Sequence, residues 1–94
     1  MDIRHQLLEI NDEDTTALMF DAGLQVKYFV NLTVQNISES TDVFIGGPGV
    51  TSGSYGVKLA AGSTATFEGF QRNAPLYAIT ASGSASVAVL QTSQ

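Results

Sequence analysis

From Gln25 onward, apolar and polar residues alternate with the period of two that marks a strand half-buried on a sheet. In QVKYFVNLTVQN, Val26, Tyr28, Val30, Leu32 and Val34 share one side. Gln25, Lys27, Asn31, Thr33 and Gln35 share the other, where Phe29 is the single apolar residue. Shorter apolar runs follow at residues 42–45, 56–59, 65–68, 76–81 and 86–90, with turn clusters between them at the spacing a sandwich or barrel requires. Residues 25–94 are therefore predicted to be an all-β domain, an antiparallel β-sandwich of jelly-roll type.

Residues 42–70 hold seven glycines, which raises the choice between a ligand-cradling loop and tight turns. GGPG at 46–49 follows Ile45 directly; Pro48 cannot donate to a ladder and its glycine neighbours let the chain leave the sheet. A phosphate loop needs G-x-x-x-x-G-K-[ST] or G-x-G-x-x-G opening a helix, and neither is present. The glycines are read as strand terminators, and Ser82-Gly83-Ser84 as a hairpin turn with positive φ.

Residues 1–24 read differently. Asp2 can cap a short helix whose stripe is Ile3, Leu7 and Ile10, although Leu8 falls off it. The expectation is an acidic N-terminal arm or short helix that needs a partner surface; the alternative is that residues 18–20 form the first strand of the sandwich. NDEDTT at 11–16 reads as a solvated acidic turn. A calcium loop of the EF-hand type needs Gly and Glu where Thr16 and Ala22 stand.

Charge sharpens this division. The net charge of -5 lies wholly in residues 1–24, where Asp2, Glu9, Asp12, Glu13, Asp14 and Asp21 oppose Arg4 (1 - 6 = -5). Residues 25–94 balance Lys27, Lys58 and Arg72 against Glu39, Asp42 and Glu68. Four scattered basic residues build no phosphate-binding patch, so neither nucleic acid nor an anionic membrane is an expected partner. No segment has the apolar length of a membrane span or the pattern of a secretory leader, and the expectation is a soluble, unprocessed chain. With no cysteine among 94 residues there is no disulfide or thiolate chemistry, and a core of this size gains from association with other chains.

Catalytic chemistry finds few residues. His5 is the only histidine and lies in the acidic segment, and no spacing brings Glu68 and Asp42 together as a carboxylate pair. The chain is read as a non-enzyme with no cofactor and no metal ion. NLT at 31–33 and NIS at 36–38 match glycosylation acceptors, but the first lies inside a strand and no leader precedes them.

The segments VFIGGPGVTSGSYGVKLAAGSTATFE and LYAITASGSASVAVLQ resemble the signature of small β-sandwich proteins from the virion modules of tailed bacteriophages. In that signature an Asn-bearing strand leads to V-[YF]-[IL]-G-G, then L-x-x-G-[ES], then L-Y-A-[IV]-x-x-S-G-x-x-x-V-x-V-L. The matching positions are Asn36, residues 43–47, Leu59, Gly62, Ser63, residues 76–79, Ser82, Gly83, Val87, Val89 and Leu90. The resemblance covers about residues 32–90 and implies a head decoration or cement protein. It implies attachment to the major capsid protein on the phage head surface after synthesis in the host cytoplasm, and a homo-oligomer, with a trimer favoured. A tail or fibre-tip component and a lectin-like carbohydrate-binding module are the alternatives.

The residues expected to make the partner contact are Ile3, Leu7, Leu8 and Ile10 in the arm, with Phe29 and Phe44 as aromatics on the solvent faces of their strands.

Overall fold

The computed structural model describes residues 2–18, 30–70 and 76–93. Among the described residues there are eight strands: β1 (Asp2–Ile10), β2 (Thr16–Ala17), β3 (Val30–Asn36), β4 (Val43–Gly46), β5 (Val57–Leu59), β6 (Thr64–Phe70), β7 (Tyr77–Thr80) and β8 (Ala85–Ser93). They form two four-stranded antiparallel sheets in the orders β1-β8-β3-β6 and β2-β7-β4-β5, which is the strand order of a jelly roll. The expected all-β sandwich is what the chain forms. Its N-terminal arm or short helix is not.

Residues 2–10 are instead a full-length strand, paired with β8 without interruption from Asp2↔Ser93 to Ile10↔Ala85. The helical stripe and the strand alternation compete over this segment because apolar residues stand on both sides of it. Ile10 is buried in the core and Leu8 packs against it, while Ile3, His5, Leu7 and Glu9 face outward. A segment this short gains little from isolated helical hydrogen bonds, and β8 offers it a complete ladder. Leu18 is also fully buried, and its N–H donates to the Leu76 carbonyl at 2.9 Å, so the acidic segment is built into the sandwich over its described residues.

The core lies between the inner faces. Leu32 and Val34 of β3 and Val87 and Val89 of β8 meet Val43 and Ile45 of β4, Leu59 of β5 and Ala78 of β7. The alternation from Asn31 to Gln35 thus predicts the correct face, and Val26, Tyr28 and Phe29 lie outside the described residues. The strands expected within 42–45, 56–59, 65–68, 76–81 and 86–90 are β4 to β8, with ends shifted by a few residues.

One polar side chain sits at the end of this core. Asn36, with no exposed surface, donates from Nδ2 to the Leu59 carbonyl of the opposite sheet at 3.0 Å and to the Thr41 carbonyl at 2.8 Å. Its Oδ1 accepts the Ser38 N–H at 3.1 Å and lies 2.6 Å from the Ser38 hydroxyl, which also approaches the Thr41 carbonyl at 2.7 Å. Its backbone N–H donates to Ser63 and its carbonyl accepts from Gly62. Asn36→Leu keeps the branched outline but is bulkier, and it removes the Nδ2 donor from the Leu59 and Thr41 carbonyls, a loss of about 2–4 kcal/mol. Asn36→Asp, which turns an acceptor toward the same two carbonyls, is expected to destabilise at least as much. Urea denaturation of both variants checks this, and a midpoint unchanged from the parent would refute it.

Candidate functional site

The glycine-rich segment is a set of turns. Val50 N–H donates to the Gly47 carbonyl at 3.2 Å across Pro48 and Gly49, and Gly49 has φ 86°, the pattern of a type II turn. Thr51 and Ser54 then exchange both backbone hydrogen bonds, and Gly56 N–H returns to the Ile45 carbonyl at 2.9 Å. A shallow open hollow of about 170 Å³ remains over residues 46–50 and 54–56, and no charged side chain lines it. At the β7–β8 turn Gly83 has φ 72°, the positive φ expected there. Its N–H donates to an Asp12 carboxylate oxygen at 3.1 Å, which ties the acidic turn to this hairpin. Asn11 Oδ1 closes the acidic turn itself by accepting the N–H groups of Glu13 and Asp14 at 3.0 and 2.8 Å.

That loop also changes the standing of Phe44. It faces away from the core, opposite Lys58 and Ile79 in register, as its phase predicts. Yet it is only 8% exposed, because the chain folds back and sets the Tyr55 ring 4.8 Å from it at 53°. Phe44 is therefore the floor of a small outer cluster and no free contact. Tyr55, 46% exposed, is the aromatic that reaches solvent there.

The six residues expected to bind a partner are thus divided by the fold. Leu8 and Ile10 are spent on the chain's own core, Phe44 is covered, and Phe29 lies outside the described residues. Ile3 and Leu7 remain, at 65% and 71% exposure on the outer face of β1. Register brings a third apolar residue beside them: Leu90 of β8, 42% exposed, lies opposite His5, flanked by Ala88 opposite Leu7. Leu90 carried a signal in the sequence, since it falls out of phase with the buried Val87 and Val89.

Beyond this apolar stripe the same outer face continues as amides and hydroxyls. Asn31, Thr33 and Gln35 of β3 lie opposite Thr92, Leu90 and Ala88, and Thr66 and Thr64 of β6 lie opposite Thr33 and Gln35. Glu9 and Glu68 are its only carboxylates among the described side chains, and they stand at opposite corners. Such a face can be desolvated far more cheaply than one carrying a normal density of charge.

No protein-family model matches the chain, and no curated protein does. Among solved structures, the fold is similar to a chain described in "Bacillus endospore appendages form a novel family of disulfide-linked pili". The TM-score is 0.54 over 98% of this chain and 85% of that one, at 13% identity. At that identity the likeness bears on the sandwich alone.

The division of β1 into an inner and an outer face has a measurable consequence. Ile10→Ala should destabilise by about 2–5 kcal/mol through loss of core packing. Ile3→Ser and Leu7→Ser should each stay within about 0.5 kcal/mol of the parent in a dilute sample. Chemical denaturation of the three variants checks the contrast, and equal losses at all three positions would place Ile3 and Leu7 in a contact within the chain.

Proposed function

We propose that this chain is a structural protein of a tailed-bacteriophage virion, a decoration protein that binds the major capsid protein at the head surface and stabilises the shell. The observation that carries the reading is the charge-poor outer face of the β1-β8-β3-β6 sheet, with carboxylates only at its corners among the described side chains and an apolar stripe at Ile3, Leu7 and Leu90. A surface of this kind suits permanent docking, where charges would have to be stripped of water. The sequence resemblance supports the phage setting. Two of its matching residues, Asn36 and Gly83, make hydrogen bonds that tie separate parts of the sandwich together.

A second reading follows from the fold likeness to a protein of disulfide-linked pili: many copies joined into a fibre. This chain has no cysteine, so its fibre would be held by surface contacts alone.

Co-sedimentation of the purified chain with tailed-phage capsid shells assembled from a major capsid protein of the same genome, and lacking the chain, decides between these. Saturable binding is expected. It should be abolished by Thr33→Glu combined with Thr66→Glu, which puts two charges in the middle of the face without touching the core. Unaltered binding by that variant would move the contact to another surface. Fibres of the chain alone in negative-stain images, with no shell binding, would favour the second reading.

A further inference from the structure

Four strands of the described sandwich stand at sheet edges, and three of them are protected against pairing with another chain. β2 has two residues, β5 has three with the exposed Lys58 at its centre, and β6 carries Glu68 and a register shift against β3 between Val30 and Leu32. Shortness, an edge lysine and a bulge are the usual means of blocking strand addition. β1 is neither short nor bulged, and its charged residues, Asp2, Arg4 and Glu9, leave residues 5–8 free of charge-bearing acids and lysines. It is nine residues long, in unbroken register with β8, and contains neither lysine nor proline.

The direction of its free backbone groups follows from the ladder. Ile37 N–H donates to the Ser86 carbonyl, so the even-numbered residues of β8 direct their peptide groups to β3 and the odd-numbered ones to β1. Because Gln6 pairs with Val89, the even-numbered residues of β1 bond β8. The N–H and C=O groups of Ile3, His5, Leu7 and Glu9 therefore point out along the edge, and no described residue pairs with them. These are the same residues whose side chains stand on the outer face.

We propose that β1 is a self-association edge, pairing antiparallel with β1 of a second copy about a twofold axis through His5. This deepens the reading of the chain as an assembly subunit and rests on it. With His5 on the axis, Ile3 of each copy lies opposite Leu7 of the other. The three pairs Ile3–Leu7, His5–His5 and Leu7–Ile3 each exchange two N–H···O=C bonds. The two most exposed large apolar side chains then cover each other twice, with Leu90 of each copy in the row beside His5. Moving the axis to Gln6 sets Ile3 against Glu9, and moving it to Leu7 sets His5 against Glu9. The antiparallel direction itself keeps the acidic turns at residues 12–14 of the two copies at opposite ends of the junction. The result is one eight-stranded sheet in which the two charge-poor outer faces are continuous.

A chain without cysteine makes the register directly testable. His5→Cys should form a disulfide-linked dimer under mild oxidation at least roughly tenfold faster than the exposed-loop control Ser52→Cys. Ile3→Cys and Leu7→Cys should each cross-link slowly alone and rapidly when mixed. Light scattering coupled to size exclusion should give a dimer at tens of micromolar, and Leu7→Lys should give a folded monomer with the same β circular-dichroism spectrum. A parent chain that is monomeric or trimeric under these conditions overturns the proposal, as does a dimer that survives Leu7→Lys or shows no preference for His5→Cys. Shell binding separates this from the functional reading: a monomer that sediments with shells defeats only the edge pairing, and a dimer that does not defeats only the decoration role.

Discussion

The two sheets are joined by apolar contact over most of their area, but at one end they are joined by a side-chain amide. Asn36 belongs to β3, and the Leu59 carbonyl it binds belongs to β5 in the opposite sheet. Sliding one sheet on the other would change Leu–Val contacts gradually, whereas it would break this bond and leave a buried acceptor unpaired. The same residue fixes the β3–β4 connection through Thr41 and Ser38, and the β5–β6 turn through Gly62 and Ser63. Hydrophobic burial supplies the drive to collapse, and the carboxamide selects one alignment among the collapsed states.

The closing constraint lies at the chain ends. β1 and β8 are separated by most of the sequence and yet form the longest uninterrupted ladder, nine residues on each side. Closing so long a loop carries an entropic cost, which the ladder with β8 and the inner side chains of β1 offset. β1 contributes its inner side chains, Leu8 and Ile10, to the core. Its outer half is not consumed by the chain's own packing.

How much of this was legible follows from where the two-residue period is clean. β3, β5 and β6 each present one apolar and one polar side, so their faces were readable, whereas β4, β7 and β8 carry apolar residues on both sides and were readable as strands from their apolar runs and the turn chemistry at their ends. Phe44 shows the limit of the method: its phase was right, but only the return of the 46–56 loop reveals that Tyr55 covers it. Asn36 could be noted as a matching residue of the resemblance, but a buried asparagine and an exposed one look alike in a strand pattern. β2, two residues long, carries no period at all. The outer face as a site was invisible because it is an adjacency between β1 and β8, set by register and not by sequence neighbourhood.

The misreading of β1 has a physical cause that bears on function. A strand serving only its own sandwich needs apolar residues every second position, and such a strand announces itself. β1 has Leu8 and Ile10 on one side and Ile3 and Leu7 on the other, and this double occupancy is what produced a helical stripe. Two-sided apolar strands are at home where both faces are covered, as in the middle of a layered structure. Here the inner cover is the second sheet, and the outer cover is no described part of the chain. The exposed area of Ile3, Leu7 and Leu90 is thus a demand for a second layer, and the bare edge beside it is a demand for a further strand. A shell beneath the face meets the first demand and a twofold copy along the edge meets the second, so the two proposals answer different halves of one surface without competing for it.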